Sequence, residues 1–279
     1  MGCDNSTEPT DCAGVVNGTA VVDACGVCDS DATNDHGNGV VNRLKEKAKP
    51  QSDSRSESIL SYAFKDLLIT AVEAKQIPGP VTFFIGRFWY YLAIQTASVV
   101  AILYATDTVG LETSEALLVL IVGISVGIPF APLWGKLNDK IGPAKSMQVV
   151  LIGWILNILV TIAIPVFDLS PHIWWLIGVN SGIFTAGIWS TDRPLLTYIT
   201  VENGGRSVDD IGKFFGLMSV TGRLSTVAGP FAWGLLVVTL GFGQTIGVVF
   251  LLIAIIISFL FLYKTKRILY AFEAKGTKK

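Results

Sequence analysis

Two short runs place charge at the ends of apolar segments. The first reads Gly135-Lys136-Leu137-Asn138-Asp139-Lys140-Ile141-Gly142-Pro143-Ala144-Lys145, one carboxylate among three lysines. Its glycines permit a tight turn between two antiparallel helices. The second, Asp192-Arg193, closes an apolar segment. The chemistry open to such groups at a helix end is ion pairing that latches helices together. A single exposed pair contributes only about 0–1 kcal/mol, so holding a bundle shut needs a network. An ordinary charged hairpin loop, or side chains that snorkel to water and only anchor helix ends, explains the same residues equally well.

Two more cations, Arg87 and Arg223, fall inside apolar segments. An ionisable group at membrane depth marks a functional site by default, with snorkelling as the plain alternative. Gln95, Gln148, Asn157 and Asn180 are uncharged polar residues in similar surroundings. Such side chains face other helices or a cavity. Asn157 is expected to bond to a neighbouring helix. Gly229-Pro230, followed by Gly234, suits a kink, because proline removes a backbone hydrogen bond.

Near the N-terminus Cys12, Cys25, Cys28 and His36 could offer zinc three thiolates and an imidazole, and Asp29, Asp31 and Asp35 could offer calcium oxygens. One Cys-x-x-Cys in irregular spacing does not make a metal site, and none is expected. Met1-Gly2-Cys3-Asp4-Asn5-Ser6 fits a myristoylation pattern. No nucleophile–base arrangement, phosphate loop or HExxH pattern occurs, and His36 and His172 are the only histidines. Neither enzyme activity nor a cofactor is expected.

The elements that must position these residues are read from hydropathy. Hydrophobic residues make up 51% of the 279 positions and charged ones 15%, well below the quarter or so of a soluble domain. Six apolar segments stand near 79–105, 114–134, 146–167, 171–190, 211–240 and 242–263. Each reaches the roughly 20 residues that a helix needs to cross a bilayer core. Lysine and arginine gather before the first segment, in the second and fourth connections and after the sixth. The other loops carry Asp107, Glu112, Asp168 and His172. Basic loops mark the cytosolic side, so both termini are expected there. The net charge of −1 gives no reason to expect nucleic acid.

The expected fold is an all-α membrane protein, a six-transmembrane-helix bundle. Residues 1–57 form a mostly disordered Cys/Asp-rich segment and linker, and 58–78 an amphipathic helix and turn at the membrane. Residues 79–263 form the bundle, and 264–279 a basic cytosolic tail.

The spacing G-x-x-x-D-K-x-G-x-x-K between the second and third segments resembles the signature loop of the major facilitator superfamily. Tyr90–Thr96, Leu133–Lys145, Thr191–Leu196 and Lys213–Gly234 are similar to the C-terminal half of the branch that contains the autophagy-related vacuolar amino-acid effluxer and its bacterial relatives. The likeness covers residues 79–263. It implies half of a major facilitator fold, moving a small polar solute, an amino acid for example, by alternating access. Members have twelve helices, so a second half or a second copy is implied as partner, beside the lipid bilayer and the solute. The resemblance makes Gly135, Asp139, Lys140, Gly142, Lys145, Asp192 and Arg193 a cytoplasmic gate. Gln95 and Asn180 would line the solute path with Arg87 and Arg223. The acidic residue that often follows the tyrosine of the first helix is here Leu92, which leaves no carboxylate for proton coupling at that place. A non-transporting membrane anchor or gene fragment that displays the Cys/Asp-rich segment is the other reading.

Overall fold

The computed structural model describes residues 21–22, 28–29, 69–202, 204–207 and 211–276, with side chains from 69 to 270. The chain divides into two units, Met1–Ile59 and Leu60–Lys279. In the first, the two-residue strands β1 (Val21–Val22) and β2 (Cys28–Asp29) pair antiparallel, Val21 opposite Asp29. The metal candidates Cys12, Cys25 and His36 and the myristoylation pattern lie outside the described residues, as do 58–68 of the expected amphipathic helix.

The described residues of the second unit form six long helices, α1 (Pro80–Tyr104), α2 (Thr113–Ile141), α3 (Pro143–Val166), α4 (Ile173–Thr197), α5 (Ile211–Gly234) and α6 (Gln244–Gly276). A short helix over 69–76 precedes them. Its Ala74 joins the core, while Ile69 and Val72 stay exposed. Pro80 and Pro143 open α1 and α3, where a missing N–H costs nothing. Gly142 alone separates α2 from α3 with φ of 84°, a conformation that glycine adopts without strain. Wide π turns close α1 (Ala105–Val109), α4 (Tyr198–Glu202) and α5 (Leu235–Thr239). α6 continues to Gly276, so Lys264, Lys266 and Arg267 ride on its last turns.

The strongest packing runs α5–α1–α6–α3–α4–α2. Exchanging the first three helices with the last three leaves this order unchanged. That is the arrangement expected of two three-helix repeats facing each other. α2 and α5 lie at the ends of the row. α2 keeps Leu117, Leu118, Ile121, Ile124 and Ile128 exposed, and α5 keeps Leu224, Val227 and Phe231 exposed. Such surface suits lipid or another helix bundle.

Among the described residues, four helical stretches are long and apolar enough to cross a membrane: Pro80–Val109, Thr113–Ile141, Pro143–Val166 and Gln244–Tyr270. α4 and α5 have the length, at 25 and 24 residues, but are more polar. The expectation of six spans is thus matched in helix number and only for four helices in hydropathy. In α4, Thr191 and Asp192 are buried among neighbouring helices rather than presented outward. With four such helices the chain is an integral, multi-pass membrane protein.

Candidate functional site

The best-connected polar group in the bundle is Arg87, on the third turn of α1 and 4% exposed. Its Nε donates to Asp192 Oδ2 on α4 at 3.0 Å, and its Nη1 donates to the Met218 carbonyl on α5 at 2.9 Å. The guanidinium carbon also stands 4.2 Å from the centre of the Tyr91 ring. Tyr90, one position before, is fully buried and donates its hydroxyl to Asp192 Oδ1. Both carboxylate oxygens are therefore occupied, and three helices meet on one ion pair. α5 makes room with Gly222, where an added Cβ would stand 3.0 Å from Arg87 Nη1.

Immediately before Asp192, at Ser190 and Thr191, a second knot joins α4 to α2. Asn138 Nδ2 donates to the Ser190 carbonyl at 3.0 Å, and Thr191 Oγ1 donates to Asn138 Oδ1 at 3.0 Å. Trp134 Nε1 donates to the Ile183 carbonyl at 2.8 Å from the same side of α2. Both bonding groups of the Asn138 amide are thus used inside the bundle.

The two end pairs of helices approach closely through small residues. Gly123 and Gly127 of α2 face Gly178 and Gly182 of α4. An added Cβ on Gly123 would stand 2.6 Å from the Gly178 carbonyl oxygen, and one on Gly127 would stand 2.9 Å from that of Gly182. On α5, an added Cβ on Gly229 would meet the Leu92 carbonyl oxygen at 2.8 Å and would overlap Thr96. Backbone-to-backbone contact of this kind is how helices associate where water supplies no driving force.

Beside the α2–α4 crossing lies a cavity of about 640 Å³, bounded by α1, α2, α3, α4 and α6. That volume is within the range of sites for small organic molecules. Ile124, Ile128, Trp154, Trp174 and Trp189 supply apolar wall, and Ser181 and Thr185 add hydroxyls. Among the described residues, no charged one lines it. Asn157 borders it and bonds to α4, its Nδ2 donating to Ser181 Oγ at 2.8 Å, as its sequence context led one to expect.

The residues singled out from sequence fall into separate places. Asp192 and Arg87, assigned to gate and solute path respectively, form one site. Arg193, Asp139, Lys140 and Lys145 are exposed, and none of them forms an ion pair with a described residue. Gly135 has nothing within 4 Å of an added Cβ. Gln95 and Asn180 are half-buried and do not border the cavity, and Arg223 is exposed. Gly229 lies at the α1 crossing, and α5 remains helical through Pro230. Sequence reading passed over Asn138, Tyr90 and the four crossing glycines. The repeated Gly-x-x-x-Gly spacing at 123–127 and 178–182 was the available signal for the last of these.

Known proteins resemble this sequence over most of its length. A family model described as "Vacuole effluxer Atg22 like" matches residues 39–267. Autophagy-related protein 22 of Yarrowia lipolytica is 28% identical over 195 residues, which cover 64% of this chain and 30% of that protein. An uncharacterized MFS-type transporter of Bacillus subtilis, YxiO, is 22% identical over 172 residues, 62% of this chain and 38% of that protein. The chain therefore spans about a third of the length of these relatives. With the family model covering most of its residues, the chain belongs to the Atg22-like family of the major facilitator superfamily.

Proposed function

We propose that this chain is one half of a secondary transporter that moves a small polar solute across a membrane by alternating access. On this reading all six helices cross the bilayer and both termini face the cytosol. The observation that carries the proposal is the buried Arg87–Asp192 pair. It joins α1, α4 and α5 near the ends of α1 and α4 that the basic connections assign to the cytosol. A buried pair with both partners satisfied behaves as a latch. Losing one partner strands a charge and costs about 3–5 kcal/mol, so the joined and parted states are well separated.

The cavity supplies the apolar wall of the solute site. Because its lining carries no charge, an ionised solute must find its counter-charges elsewhere, on a second half or a second copy facing α2, α4 and α5. An amino acid with an apolar side chain fits that division of labour. The exposed Asp139 and Lys140 at the end of α2 are free to meet such a partner.

The test is solute flux into proteoliposomes that hold the full chain, alone and with a co-expressed second half. Neutral amino acids are the first solutes to try. Uptake that Asp192→Ala abolishes, and that survives deletion of residues 1–57, is the expected result. Absence of flux in both preparations, with correctly folded protein, would leave the membrane-anchor reading in its place.

A further inference from the structure

The start of α3 and the last turns of α6 meet at the lysine-bearing end of the bundle. Lys266 Nζ donates to Gln148 Oε1 at 3.0 Å and lies 5.9 Å from the centre of the Tyr263 ring. It also stands 6.0 Å from the ring of Tyr270, while Lys145 Nζ stands 5.6 Å from that same ring. Two ammonium groups share one aromatic ring, and among the described residues neither has a carboxylate within ion-pairing distance.

Like charges drawn together with no counter-ion among the described residues form a site that an anion completes. The donors around it point the same way. Gln148 is buried, and its Nε2 has no acceptor among the described residues. Tyr263 and Tyr270 are 45% and 40% exposed, so the rings form part of the surface.

The location identifies the anion. Directly along α6 and α3 from this cluster run the outward-facing Leu260, Ile256, Ile253, Val149, Ile152 and Leu156. The cluster therefore stands where lipid-facing apolar surface ends, the level at which tyrosine and lysine meet headgroups. We propose that Lys145, Lys266 and Tyr270 bind the phosphate of an anionic phospholipid headgroup. The proposal requires only that α3 and α6 be embedded in a bilayer, and it stands apart from transport.

The experiment is native mass spectrometry of the full chain in a non-ionic detergent with equal amounts of dioleoylphosphatidylglycerol and dioleoylphosphatidylcholine. A lysine near a membrane surface contributes roughly a fivefold preference for anionic lipid, so two give roughly twentyfold or more. Lys145→Gln alone, at an exposed position, is expected to lower the preference about fivefold. Lys145→Gln with Lys266→Gln is expected to bring it close to parity. Lys136→Gln with Lys140→Gln removes the same charge from the end of α2 and is expected to leave it intact. No preference in the native chain would overturn the proposal, as would an equal loss in both double variants. Displacement of the lipid by excess inorganic phosphate would also overturn it, by assigning the site to a free anion.

Discussion

The α1–α5 seam and the α2–α4 seam hold matching places in the packing order and are built from different materials. In the first, α5 offers Gly222, Ser225 and Gly229 to an α1 face that carries Arg87, Leu92 and Thr96. The contact is fixed by charge, because Arg87 reaches the α5 backbone and Asp192 together. In the second, glycine faces glycine on bare backbone, and the hydrogen bonds of Asn138 sit toward one end of α2. A buried ion pair adds little net stability when complete, because desolvation offsets the attraction, and is costly when half removed. Glycine contact is weaker per atom and fails only when atoms are added. One repeat geometry thus gives a seam suited to switching and a seam suited to shaping a pocket.

The largest expected effect breaks the charged seam. Asp192→Ala should lower stability by about 3–5 kcal/mol, read from the midpoint of denaturant-titrated helix loss in micelles. Replacing both partners, as Arg87→Met with Asp192→Leu, should recover most of that loss. Additive losses in the double variant would show that the two residues act separately. The glycine seam comes next. Gly182→Ala drives a Cβ onto the Gly123 carbonyl and should cost about 1–3 kcal/mol by overpacking. Gly135→Ala, with open space around it, should be neutral or gain up to about 1 kcal/mol from helix propensity. Equal behaviour of these two variants would mean that backbone contact does not hold α2 to α4.

Smaller changes sharpen the contrast. Asn138→Ala removes the knot that ties α2 to Ser190 and Thr191 and should cost about 0.5–2 kcal/mol, the range of hydrogen bonds between membrane helices. Gln95→Leu sits at neither seam's polar contact and should move stability by no more than about 0.5 kcal/mol. A drop in solute flux at unchanged stability would place Gln95 on the path, and unchanged flux would remove it from the site.

Much of the fold was legible because the signals are local. Pro80 and Gly142-Pro143 mark helix boundaries through backbone chemistry that needs no tertiary contact. The family signature was legible for the same reason, as a run of adjacent residues at 135–145. The site was less so. Asp139 and Lys140 are the conspicuous charges of the signature loop, yet the bonds from that end of α2 come from Asn138, whose uncharged amide does not stand out beside its ionised neighbours. α4 was read as an apolar span of the same kind as its neighbours, and its polarity became intelligible only when Thr191 and Asp192 were seen buried against α1 and α2.

Composition, apolar run length and the placement of lysine and arginine by themselves determined that this is a helical membrane protein with its basic loops at one end. Each of those properties is a sum over neighbouring residues. Which charges meet was decided only by tertiary structure. Arg87 and Asp192 stand 105 positions apart, and their pairing depends on how far α1 and α4 are rotated and how closely the glycines let their neighbours approach. No local pattern along the chain encodes a rotation between two helices, so the ion pair that organises the bundle exists only once the helices have packed.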